Sequence, residues 1–103
     1  MSDIAIVQAS FGDPAEAALV ARKLLEERLA ACTSLAPITS LYRWQDVVEE
    51  AAETVLTAKT TLDLATQAAA RITQLHSYDL PVVERWAVAV DEAAAKWVRE
   101  ATG

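Results

Sequence analysis

Apolar residues run almost unbroken from Ile4 to Ala9 and stop at Ser10-Phe11-Gly12-Asp13-Pro14. That is the pattern of a strand buried on both faces and followed by a turn. Asp13 then stands as a helix N-cap, with Pro14 in the first turn. Beyond it Ala17, Val20, Ala21, Leu24 and Leu25 share one helical face, while Glu16, Arg22, Lys23, Glu26 and Glu27 share the other. This predicts an amphipathic helix ending near Cys32. Arg28 falls in its apolar sector close to the end. Snorkelling beside the C-terminal dipole, or a carboxylate partner among Glu49, Glu50 and Glu53, would accommodate it there.

From Leu35 to Trp44 the period changes to two. Ile38, Ser40, Tyr42 and Trp44 lie on one face and Thr39, Leu41 and Arg43 on the other, and Pro37 marks an edge strand or a bulge. Gln45-Asp46 makes a reversal, and Thr54 to Lys59 reads as the returning strand. The acidic stretch Val48 to Glu53 between them has helical propensity, but its place in a hairpin favours extension. Thr60-Thr61-Leu62-Asp63 has capping-box spacing, and Ala65, Ala68, Ala69, Ile72 and Leu75 follow at helical steps to about His76. Leu80-Pro81 leads into an apolar run, Val82 to Val90. Asp91 then caps a last helix with the stripe Ala94, Trp97, Val98 and Ala101. The predicted order is strand, helix, strand, strand, helix, strand, helix. This is an α+β, ferredoxin-like βαββαβ plan: an antiparallel sheet with helices on one face and an added C-terminal helix.

The chain has 103 residues, which predicts a single domain over 1–103, and only two Gly and three Pro, which leave little room for linkers. At 53% hydrophobic and 23% charged it is too apolar for a disordered chain, and its uncharged stretches are too short to span a membrane. A net charge of −6, with nine Lys and Arg scattered along the chain, leaves no track for phosphates and argues against nucleic acid. A single Cys excludes an internal disulfide, and Met1-Ser2-Asp3 leads straight into the first strand without a basic signal segment. The expected location is therefore the cytoplasm.

No phosphate-binding glycine loop, nucleophile elbow or zinc-protease motif occurs, so no enzymatic activity is expected. The sole imidazole and sole thiol, His76 and Cys32, would form a dyad only if folding joined them. At the predicted helix end, Cys32 reads better as a small buried residue. One His and one Cys cannot close a zinc site in a monomer. A symmetric oligomer could gather three copies of His76, or set His76 near Asp79 or Glu84, a nitrogen and oxygen donor set that suits copper(II). Otherwise His76 is a helix-end cation on the last carbonyls of its helix. Tyr42, Trp44 and Trp86 exceed what one small core requires, and such aromatics on strands serve subunit interfaces or ligand pockets as well as cores.

Five segments occur in a telling order. They are Glu27-Arg28-Leu29-Ala30-Ala31-Cys32, Ser40-Leu41-Tyr42-Arg43-Trp44-Gln45, Glu49-Glu50 with Glu53, Lys59-Thr60, and His76-Ser77-Tyr78-Asp79-Leu80-Pro81. In composition and spacing, from about Asp3 to Gly103, they resemble the CutA divalent-cation tolerance family. The resemblance implies a ferredoxin-like fold in a tight homotrimer whose long second and third strands pair across subunits. It implies divalent-metal tolerance with weak binding of copper(II) or another divalent cation that the fold does not require. It implies no catalytic reaction. It places Tyr42, Trp44 and Tyr78 at an intersubunit cleft and His76 as the metal residue. The trimer's likeness to nitrogen-regulatory PII proteins implies, as the alternative, a signalling module for a small metabolite or partner protein. Four departures stand out. Ala9 replaces a cysteine that some members carry, Ser77 replaces the Pro of His-Pro-Tyr, and Val82 replaces a Glu, leaving Glu84 as its nearest substitute. Asp46-Val47 replaces Gly-Lys, which points to a different turn or a local bulge.

Overall fold

In a computed structural model that describes residues 1–103, the elements are β1 (Ser2–Phe11), α1 (Pro14–Glu26), β2 (Cys32–Trp44), β3 (Val47–Thr60), α2 (Ala65–Leu75), β4 (Val83–Val90) and α3 (Glu92–Thr102). The strands form one sheet in the order β2-β3-β1-β4, antiparallel at every pairing. The expected ferredoxin-like plan is therefore present. β1 lies between β3 and β4 and is covered on both sides, which explains its unbroken apolar run. Ala5, Val7, Ala9 and Phe11 face α1 and α2 in the main core. Ile4 points the other way, into a smaller cluster with Ala95 and Val98 of α3. Thus α1 and α2 share one face, and the added helix covers one end of the opposite face.

Asp13 caps α1 as expected, accepting the Ala15 N–H at 2.9 Å. Asp13→Ala will lower stability by about 1 kcal/mol, read as a shift in the urea midpoint with unchanged slope; a change below a quarter of that would mean that solvent replaces the cap. The helix stops at Glu26, six residues before Cys32. Arg28 terminates it with a left-handed φ of 57°, and the Leu29 and Arg28 N–H groups return to the carbonyls of Leu24 and Leu25. This is a Schellman ending built without the usual glycine. Arg28 is consequently outside the helix, and its guanidinium donates to the Gly103 carbonyl at 2.9 Å rather than to an acid in β3. Glu27 receives the Arg71 guanidinium at both oxygens, each at 2.8 Å, tying the end of α1 to α2. The Arg71 hydrogen bonds hold the Glu27 carboxyl below the usual carboxylate range.

Pro37 sits on β2, an edge strand, where its missing N–H leaves no gap in the interior of the sheet. The acidic segment is extended throughout. At the hairpin tip Gln45 and Asp46 have φ of 50° and 65° and Trp44 pairs directly with Val47, a two-residue turn with no bulge. The β1–β3 pairing ends at Phe11↔Thr54, whereas β2 and β3 continue together to that tip. The ribbon beyond the sheet gives the molecule its 45 × 25 × 21 Å shape.

Two expected details shift. Thr61, not Thr60, accepts the N–H of a residue three further on, Leu64, at 3.2 Å. Thr60 closes β3, and its hydroxyl is buried without a partner. In α3 the buried residues are Ala95 and Val98, while Ala94 and Trp97 face outward. Alanines on adjacent sides of this helix leave its period ambiguous, and it is Ala95, not Trp97, that packs with Ile4 and Val98.

Candidate functional site

The segment after α2 crosses the end of β1 and is pinned at three successive residues. The His76 ring stacks on buried Phe11, with centroids 4.1 Å apart and planes at 12°. Its Nε2 lies 2.8 Å from the Ser10 carbonyl, which can only accept, and its Nδ1 lies 3.1 Å from the Tyr78 N–H, which can only donate. The proton therefore sits on Nε2, and both nitrogens serve backbone groups. His76 caps α2, but its ring bonds to β1 rather than to the last carbonyls of its own helix. Ser77 donates its N–H and its hydroxyl to the two carboxylate oxygens of Glu16 in the first turn of α1, at 2.7 and 2.8 Å.

The Tyr78 hydroxyl donates to Glu53 Oε2 at 2.7 Å. Glu53 lies one rung past the last β1–β3 pair, so no β1 residue stands beside it, and the phenol fills that place. Gly12 makes the approach feasible, because a Cβ there would sit 2.9 Å from the Tyr78 hydroxyl oxygen. Burial, reinforced by the hydrogen bond to Glu53, pushes the Tyr78 phenol up to about 12.

Above this floor opens a cleft of about 610 Å³ whose lining includes Tyr42, Trp44, Tyr78, Glu53, Asp79 and Glu84. Tyr42 and Trp44 follow Ser40 on the ribbon face turned away from α1 and α2, and Ser10 and Glu84 belong to the same face of the sheet. Tyr42, Trp44 and Tyr78, expected at a cleft between copies, all line this cleft of the single chain. His76 lies beneath it rather than among the lining residues. Cys32 begins β2 instead of ending a helix. It pairs with Lys59, whereas Ser10 pairs with Val55, a separation of four rungs or roughly 13 Å along the strand. No Cys32–His76 dyad forms. No three His, Cys, Asp or Glu side chains of the chain converge closely enough to hold a metal ion.

Glu53 and Gly12 carry much of this geometry, yet sequence reasoning did not assign them to the site. Glu53 is indistinguishable from Glu49 and Glu50 until the pairing register shows where β1 ends. Gly12 offered a signal, since a glycine in a chain with only two can mark a close approach as well as a turn.

Fold and site together define a ferredoxin-like α+β protein with an open aromatic and acidic cleft at one end of its sheet. Residues 5–101 match the family model described as CutA1 divalent ion tolerance protein. The divalent-cation tolerance protein CutA of Thermus thermophilus is 40% identical over 86 residues, covering 82% of this chain and 84% of that one. The crystal structure of CutA1 from Pyrococcus horikoshii superposes with a TM-score of 0.91 at 37% identity, covering 96% of this chain and 98% of that one. The structure of the periplasmic divalent cation tolerance protein CutA from Archaeoglobus fulgidus superposes with a TM-score of 0.87 at 25% identity, covering 99% and 100%. This chain belongs to the CutA divalent-ion tolerance family, which is described by tolerance rather than by a reaction. No helix is long and apolar enough to cross a membrane.

Proposed function

We propose that this protein acts in divalent-cation tolerance as a cytoplasmic homotrimer that takes up copper(II), or another divalent cation, weakly at the cleft between copies. The observation that carries the reading is the set of carboxylates lining the cleft, Glu53, Asp79 and Glu84, together with the chain's only imidazole, which is bonded to the backbone of the cleft residue Tyr78. Glu84 supplies a carboxylate where Val82 has lost one. Mixed nitrogen and oxygen donors suit copper(II). One chain cannot complete such a site, because Nδ1 of His76 must first release the Tyr78 N–H and too few other donors converge. Ligands from a second copy would complete it, which ties metal uptake to assembly. The cation is cargo here, and folding does not depend on it.

Copper(II) titration of the wild type and of His76→Ala at pH 7.5, where an unpaired imidazole is neutral, tests the site. The variant is expected to bind at least about tenfold more weakly, the loss that even an outer-sphere partner of a metal ligand produces. Native mass spectrometry of the same samples is expected to show three chains, with ions bound only to the assembled species. Unchanged affinity in His76→Ala overturns the imidazole as a ligand, and ions bound to single chains overturn the link to assembly.

A further inference from the structure

The imidazole that a cation would use already has a competitor within the chain. A neutral imidazole has one lone pair, and with its Nε2–H turned on to the Ser10 carbonyl at 2.8 Å that pair lies on Nδ1, where the Tyr78 N–H takes it at 3.1 Å. An ion and the amide cannot share it. The ring has little freedom to turn elsewhere, because it stacks on the fully buried Phe11 at a centroid separation of 4.1 Å. It is therefore Tyr78 that has to give way.

Tyr78 is held at its other end as well. Its hydroxyl donates to Glu53 Oε2 at 2.7 Å, its ring leans on the imidazole with centroids 4.6 Å apart, and the phenol oxygen is seated against Gly12. On the N-terminal side, Ser77 gives its N–H and its hydroxyl to the two carboxylate oxygens of Glu16. With the residue before it tied to α1, withdrawal of the Tyr78 amide pulls against the bond between the phenol and Glu53. All of these contacts lie within one chain.

Resting on the reading of His76 as a cation ligand, we infer that Tyr78 sets the affinity of that site as an internal competitor: uptake of a divalent cation at His76 Nδ1 expels the Tyr78 amide and breaks the hydrogen bond from its phenol to Glu53. The ion-bound and Tyr78-seated arrangements exclude each other. Whatever weakens the seated arrangement must then tighten cation binding by the same factor. Tyr78 is a positioning residue here, acting through His76 and Glu53.

Hydrogen exchange of the full-length protein with and without saturating copper(II), and copper(II) titration of Tyr78→Phe and Gly12→Val, test the competition. A ligand that merely covered the segment would slow its exchange, whereas expulsion of the amide is expected to speed exchange at Tyr78 at least about threefold. Tyr78→Phe deletes the hydrogen bond to Glu53, and Gly12→Val evicts the phenol by the clash of its Cβ with the hydroxyl oxygen. Each variant is expected to bind copper(II) about three- to tenfold more tightly than the wild type, the worth of a partly exposed hydrogen bond to a carboxylate. Melting curves will show that the variants fold, and should one fail, the other and the exchange experiment carry the same test. Slowed or unchanged exchange at Tyr78 with copper(II) bound overturns the competition, as does unchanged or weaker binding in a folded variant. If His76→Ala still weakens binding in that case, the metal reading stands without the competitor. Binding that emerges only in the variants supports the competition, and no binding to any of these proteins overturns both readings together.

Discussion

Phe11→Ala will destabilise the protein by about 3–5 kcal/mol, the usual cost of emptying an aromatic site in a packed core. Phe11 is 0% exposed and lies where β1, α1 and α2 meet, and domains of this kind have only about 5–15 kcal/mol in total. The melting temperature should fall by roughly 15–30 °C at fixed protein concentration. The same ring is the surface on which His76 stacks. The variant should therefore also loosen the 76–78 segment, seen as faster amide exchange at Tyr78, whose N–H is held by His76 Nδ1. Phe11→Leu, which keeps most of the volume, should cost under half as much while still losing the stack. A loss below about 1 kcal/mol in Phe11→Ala would show that the core collapses around the gap and that β1 does not depend on this side chain.

Gly12→Val will displace Tyr78 while leaving the sheet intact, because the added Cβ meets the phenol oxygen at 2.9 Å. Tyr78 must swing away and lose Glu53. Its phenol, raised to about 12 by burial and by that hydrogen bond, should return towards the ordinary value of about 10. An ultraviolet titration at the phenolate band reads this directly, with Tyr78→Phe identifying which transition belongs to Tyr78. Linkage fixes the sign of the accompanying stability change. A folded pKa above the unfolded one means that the stabilisation is fully present below about pH 10 and is lost as pH rises towards 12. The wild type should lose melting temperature over that interval more steeply than Tyr78→Phe. Tyr78 is 41% exposed, so solvent screening keeps this difference small and the titration is the sharper readout. A Tyr78 transition that stays near 12 in Gly12→Val would show that the valine is accommodated elsewhere and that Gly12 does not control the approach.

The elements follow from local chemistry that is legible in the chain. The unbroken run from Ile4 to Ala9 marks a strand covered on both sides, Asp13-Pro14 opens α1, and the alternation from Ile38 to Trp44 sets Tyr42 and Trp44 on a common face. Each of these signals spans a few residues, and the structure keeps each of them. The end of α1 was hidden for a physical reason: Schellman endings are read from glycine, and here Arg28 adopts the left-handed conformation instead. The orientation of α3 was hidden because alanine on two adjacent sides gives no single apolar stripe.

The candidate site shows the same division. Sequence placed Tyr42, Trp44, Tyr78 and His76 among the residues to watch, because aromatics on a short strand and a lone imidazole after a helix are visible one by one. Their relation to one another was decided only by contacts between distant segments. His76 bonds to Ser10, 66 positions away, and Ser77 to Glu16, 61 positions away. Tyr78 reaches Glu53 because β1 ends one rung short of it. Secondary structure depends on neighbours along the chain, so periodicity and caps determined it. The protonated nitrogen of His76, the partner of Glu53 and the shape of the cleft depend on neighbours in space, and those exist only once the sheet is assembled.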